Sequence, residues 1–334
     1  MNAAAPAARR SAALAGLAVA LLAGGAGWPP VPVAAASPFE VARQTNRNAP
    51  FSARVTVEWV DGQGRHSTSV EIGAANGLVR VAGAATPAGG PVVLGEGWLL
   101  VTRSGDAPAG TLPPAIERKY DIERLPGPVV AGRPTSLLVL RAGGAVRERL
   151  AVDETSGLVL RRELFGGADR PVRTVTVTEL DDSPPELAAA PPAGTVAEPV
   201  DPEAQAAAYR SPKELAGGYE RVAAFRREGA VHVLYSDGFH GLSLFVQPGR
   251  LDHDRLPPGG AAVRLGQAEA LRYTWAGGEV VTWESGPVVR TLVGDAATEE
   301  VMAAARSVPP APRPSLLSRL RTACRDVAEV LGAA

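Results

Sequence analysis

The chain carries a single cysteine, Cys324, in 334 residues. That count excludes an intramolecular disulfide and any zinc site built on thiolates. Histidine is nearly as scarce. The four residues His66, His232, His240 and His253 include no pair at the helical spacing of a metal motif such as H-E-x-x-H. No glycine cluster with a following lysine marks a phosphate loop, and no G-x-S-x-G marks a nucleophile elbow, so nucleotide-dependent and serine-hydrolase chemistry lack a motif. An excess of one charge is missing as well: 34 Lys and Arg against 35 Asp and Glu leave a net charge of -1. Nothing in that balance draws in nucleic acid or an acidic membrane. Aromatics make up only 5% of the residues.

What is abundant is Ala, Val, Gly and Pro. Hydrophobic residues reach 46%, and 37 Gly with 30 Pro favour strands and turns over long helices. The length suggests about two domains. At the N-terminus Arg9 and Arg10 precede an apolar run from Ala12 to Ala23, and Ala34-Ala35-Ala36 precede Ser37. This is a secretory signal pattern over residues 1–36, cleaved near Ala36. The run is short of the roughly 20 residues needed to span a bilayer, and no cysteine follows it as in a lipoprotein. The mature chain is expected to be exported and extracytoplasmic, in the periplasm or cell envelope.

The expected first domain is residues 37–181. Ser37, Pro38 and Glu40 form a capping pattern for a helix ending near Asn46. Alternating segments then predict strands at 52–60, 67–72, 78–82, 92–94, 98–103, 120–125, 135–141, 147–153, 158–164 and 172–180. Ten short strands after one helix imply a large, strongly curved antiparallel sheet. Residues 182–205, rich in Pro, Ala and acid, read as a linker. Residues 206–308 form a small α+β domain around the hairpin VHVLYSDGFHGLSLFV at 231–246. There Val231, Val233 and Tyr235, then Leu242, Leu244 and Val246, occupy one face of the two arms. Further strands are expected at 262–265, 268–275, 279–285 and 288–293, then a helix capped by Asp295 or Thr298 with Val301, Ala304, Ala305 and Val308 on one face. Residues 309–334 supply a Pro-rich spacer and an amphipathic helix, 315–331, that either docks on protein or lies on a membrane surface.

Four stretches in order resemble the MucB/RseB family of sigma-factor regulatory proteins. They are KYDIERLPGPVVAGRPTSLLVLRAGGAVRERLAVDETSGLVLRREL at 119–164, LAGGYERV at 215–222, LYSDGFHGLSLFV at 234–246 and TLVGDAATEEVMAAARSV at 291–308. The resemblance spans roughly residues 39–308. It implies a mostly antiparallel α+β fold, with a half-open barrel and helix similar to the lipoprotein carriers (LolA-like) followed by the small C-terminal domain. It also implies binding to the extracytoplasmic part of a membrane anti-sigma factor, which is thereby shielded from proteolysis, with lipid sensing by the first domain. A lipid or lipoprotein carrier is the alternative function. No enzyme, cofactor or metal is expected, and no nucleic acid partner.

On this reading the lipid-cavity candidates are Phe51, Val55, Val57 and Trp59 with Trp98 and Leu100 opposite, and the partner-binding candidates are Tyr235, Phe239 and His240. Other roles compete. Tyr235 is expected to pack the small core, His240 to lie on a strand surface, and Trp59, Trp98, Trp275 and Trp283 to anchor cores that Val and Ala would leave underpacked. Asp252-His253-Asp254 reads as a solvated charged loop.

Overall fold

The computed structural model describes residues 49–75, 78–82, 116–167, 169–181, 183, 198–199, 211–227 and 230–311. The expected helix at 37–46, the strands at 92–94 and 98–103 and the helix at 315–331 lie outside them. Among the described residues the fold is two antiparallel sheets and one α-helix.

The first sheet comprises β1 (Phe51–Asp61), β2 (Gly64–Ala75), β3 (Leu78–Ala82), β4 (Asp121–Pro126), β5 (Thr135–Ala142), β6 (Ala145–Asp153), β7 (Val159–Phe165) and β8 (Pro171–Asp181). Their order is β3-β2-β1-β8-β7-β6-β5-β4, so neighbours in sequence pair as a meander and β8 returns to β1; β3 and β4 do not close into a barrel. Period-two alternation places Phe51, Ala53, Val55 and Val57 of β1 in the core, with Arg54 between them exposed. A bulge keeps β8 in phase: Arg54 faces Glu179 but Val55 faces Val177, and Thr178 donates its hydroxyl to the Arg54 carbonyl. The extra residue lets Leu180 pair with Ala53 and join the same core as Val175 and Val177.

The second sheet contains β9 (Glu198–Pro199), β10 (Glu214–Leu215), β11 (Tyr219–Arg227), β12 (Ala230–Ser236), β13 (Gly241–Pro248), β14 (Ala261–Leu265), β15 (Ala268–Trp275), β16 (Gly278–Ser285) and β17 (Val288–Gly294). Its order is β10-β11-β12-β13-β17-β16-β15-β14, with β9 also on β11. β9 falls inside the stretch expected to be linker, where Glu198 stands opposite Arg226 and Pro199 opposite Phe225. In the β12–β13 hairpin Val231, Val233, Tyr235, Leu242, Leu244 and Val246 all enter one core, beneath helix α1 (Thr298–Ser307). Val301, Ala304, Ala305 and Val308 face that core as expected, joined by Met302. The cap differs from expectation. The N-cap is Ala297 with no side-chain bond, because Asp295 is held by Arg162 and the Thr298 hydroxyl by Glu279. At Gly294 a β-carbon would run into Leu242 Cδ2, so a side chain on the last residue of β17 would have to displace Leu242 beneath α1. No helix among the described residues is long and apolar enough to cross a membrane.

Candidate functional site

The two sheets meet at the turn of the β12–β13 hairpin. Asp237 Oδ1 accepts the amides of Phe239 (2.9 Å) and His240 (2.7 Å), while the Ser236 hydroxyl accepts the Gly238 amide and donates to the His240 carbonyl. These local bonds, with Gly238 at φ 93°, shape the turn without help from the first sheet. Phe239 projects into the first sheet's apolar core together with Trp275 and Ala276, and its ring meets Tyr120 edge-on at 6.1 Å.

Charged groups converge on this turn from the core-facing side of the first sheet. Across that sheet run the paired rows Leu138, Leu150, Arg162, Val175, Val57 and Leu140, Glu148, Leu164, Arg173, Trp59. Glu148, Arg162 and Arg173 therefore occupy inward positions among leucines and valines, and all three are buried. Arg162 grips Glu148 through Nη2 (2.9 Å) and Nε (3.3 Å), and reaches Asp295 across the junction at 3.2 Å. Arg173 donates to the Asp295 carbonyl. Lys119, just before β4, bonds Asp237 (2.5 Å) and Glu300 of α1 (2.9 Å) and lies over the Tyr219 ring at 4.6 Å. The Tyr219 hydroxyl donates to Glu300 as well.

The protonation of His240 follows from geometry. The single proton of the Tyr120 hydroxyl goes to Asp237 at 2.7 Å, so its oxygen accepts from His240 Nδ1 at 3.1 Å. Nε2 faces the Glu148 carboxylate at 3.0 Å. Both ring nitrogens must therefore donate, and the ring is an imidazolium. Burial pulls its pKa down, but the carboxylates of Asp237, 3.6 Å from Nδ1, and of Glu148 outweigh burial and raise it to about 9. Burial pushes the carboxyls of Asp237, Glu148 and Glu300 upward, yet their cationic partners hold all three below the usual range: His240 and Lys119 for Asp237 and Glu300, Arg162 and His240 for Glu148. Burial also drives the Tyr120 phenol well above its ordinary value.

Asp237, His240 and Glu300 bring ligand atoms within 4.8 Å of one another. The Lys119 ammonium sits on both carboxylates, so the cation of this cluster belongs to the chain itself. With the ring and most of the carboxylates sealed from solvent, the arrangement can hold two sheets together but presents no open nucleophile or general base.

The sequence candidates fall as follows. Phe51, Val55 and Val57 are buried in the first core, and Trp59 packs at its margin, stacked on His66 at 5.3 Å. Trp98 and Leu100 lie outside the described residues. Tyr235 packs the second core and donates its hydroxyl to the Pro212 carbonyl. Phe239 and His240 are both buried at the junction, and His240 is 1% exposed, not the strand-surface residue expected, because the turn is pressed against β6 and the Lys119-Tyr120 segment. Trp275 and Trp283 anchor cores, and His253 and Asp254 are exposed on their loop. The sequence reading missed Lys119, Tyr120, Glu148, Arg162, Arg173, Tyr219, Asp237, Asp295 and Glu300 as members of the site. A signal existed for three of them: Glu148, Arg162 and Arg173 share strand parity with the apolar Leu150, Leu160 and Val175, where a solvated charge does not belong.

The fold and junction define a class: a mostly antiparallel β protein of two sheets, not closed into a barrel, clasped through buried charge. Solved structures that the chain is similar to include those of MucB. MucB in complex with MucA(peri) shares 20% identity, with 81% of this chain and 97% of that chain covered, at a TM-score of 0.43. The MucA/MucB complex of Pseudomonas aeruginosa shares 18%, covering 82% and 98% at 0.44, and MucB alone 18%, covering 82% and 96% at 0.46. No family model and no curated protein sequence matches the chain.

Proposed function

We propose that the protein is an exported regulatory binding protein that holds the extracytoplasmic part of a membrane anti-sigma factor and modulates its proteolysis. In this reading residues 1–36 are removed, 37–181 and 206–308 act as two linked units, and the first unit senses a lipid along Phe51, Val55, Val57 and Trp59. One observation carries it. The four stretches that resemble the MucB/RseB family, far apart in sequence, meet in a single cluster: Lys119, Tyr120, Glu148 and Arg162 from the first, Tyr219 from the second, Asp237 and His240 from the third, Asp295 and Glu300 from the fourth. Shared words that converge in space describe one device, and a device with buried chemistry suits holding a partner better than converting a substrate. MucB, by the description of its structure, is found in complex with MucA(peri), and a corresponding partner is the natural one to try here.

The test is binding of residues 37–334 to the extracytoplasmic segment of the membrane anti-sigma factor of the same cell, followed by protease challenge. Binding with protection, abolished by deleting residues 206–308, is expected. No binding at tens of micromolar, far above the range of specific complexes, rules the reading out. Lipid extracted with the purified protein in that case favours the carrier.

A further inference from the structure

The junction is built from charge where apolar area would do. Exchanging a buried ion network for well-packed hydrophobic residues is often neutral or stabilising, so the charges contribute something other than raw stability. Their arrangement suggests what. On one side Glu148 is gripped by Arg162 of its own sheet at 2.9 Å, and on the other Asp237 is bonded by the amides of its own turn. Each face keeps part of its satisfaction when the other leaves, and water can supply the remainder.

We propose that the Asp237–His240 turn is a reversible, charge-gated clasp: the two sheets part and re-dock as folded bodies, and closure requires the positive charge on His240. The charge balance points the same way. In the buried cluster the four carboxylates Asp237, Glu148, Asp295 and Glu300 face the permanent cations Lys119, Arg162 and Arg173, and the imidazolium is the fourth positive charge. Every element packed on the ring contributes to this set. Its own turn brings Asp237 and Phe239, the segment before β4 brings Tyr120 with Lys119 behind Asp237, and β6 brings Glu148 backed by Arg162 of β7. Asp295 follows β17, and Glu300 lies on α1, with Arg147 4.0 Å from it at the rim; Glu279, beyond Arg173, is occupied by Thr274 and Thr298. A neutral ring has one N–H for two acceptors and leaves Glu148 and Asp237 facing each other across it.

The sign follows from the proton. The closed ring titrates near 9 and an open, solvated ring near 6.5, so closure is strongest below 6.5 and weakens as pH rises to about 9. The ratio of open to closed should rise roughly tenfold per pH unit across that window and level off above it.

Hydrogen exchange on residues 37–334 tests the clasp without any partner, so its outcome is independent of the anti-sigma reading. Amides of Phe239, His240 and Leu244 are followed from pH 6 to 10 after correction for intrinsic exchange, with far-UV circular dichroism and small-angle scattering alongside. The expected result is a rise of about a hundredfold or more in opening at Phe239 and His240, none at Leu244, unchanged sheet content and a larger radius of gyration, all reversed on return to pH 6. His240→Gln should start open and show no step. Flat opening at the turn, or parallel loss at Leu244 and in the sheet signal, overturns the proposal; the wild-type titration decides it even where the variant fails to fold.

Discussion

Glu148 is the residue on which the junction is most exposed to damage. Its carboxylate is fully buried and serves both Arg162 and His240, so removing it leaves two buried cations short of a counter-charge, Arg162 with Asp295 and His240 with the Tyr120 oxygen. Glu148→Ala is expected to cost about 3–5 kcal/mol, read from the urea midpoint of residues 37–334. Tyr120→Phe removes one proton donor while Asp237 keeps Lys119 and its turn amides, and should cost only about 1–2 kcal/mol in the same assay. The acid side has its own sign. The carboxyls of Glu148, Asp237 and Glu300 lie below their unfolded values, so their contribution is complete above the ordinary carboxylate range and is lost as pH falls through and below it. Glu279, whose carboxyl burial pushes up, acts in the opposite direction and softens that loss. An acid titration followed by circular dichroism should therefore show a stability plateau ending near the ordinary carboxylate values of about 4.

Most of the strands could be read from the sequence because their information is local. β15 spans the residues that alternation marked, and β5, β7 and β8 agree to within a residue at each end. The β12–β13 hairpin was legible down to which residues face the core, since Asp237 and Gly238 fix the turn and the turn fixes the register. The junction was not. Alternation tells that Arg162 points inward on β7, but not that a turn seventy-odd residues away would arrive there, and the expected caps of α1 misled because Asp295 and Thr298 spend their side chains on tertiary partners. Gly294 shows how tightly the last element is seated. Gly294→Ala would drive a methyl into Leu242, and a loss of about 1–3 kcal/mol is expected by thermal unfolding, whereas alanine at the exposed Gly266 turn is penalised only for its positive φ of 63°.

At the scale of the whole molecule, ties between the two sheets among the described residues include the hairpin turn, the β15–β16 turn with Trp275 and Ala276, the start of α1 with Asp295 before it, and the start of β11, where Glu220 meets Arg118 and Tyr219 lies under Lys119. Lys119→Met combined with Tyr120→Phe loosens the first and third of these together. Calorimetry of residues 37–334 should then resolve two unfolding transitions where the unaltered protein is expected to give one at pH 7. The outer rim of the first sheet carries a different consequence. Among the described residues β4 pairs only with β5, which leaves a row of backbone groups facing outward. If two molecules zipped together along it, a two-fold register centred anywhere from residue 121 to 124 would set Asp121 against Asp121 or Glu123, Glu123 against Glu123, or Arg124 against Arg124. Registers further along bring in Pro126, which has no N–H to offer. The strand's own spelling thus discourages fibre-like stacking wherever many copies are crowded together.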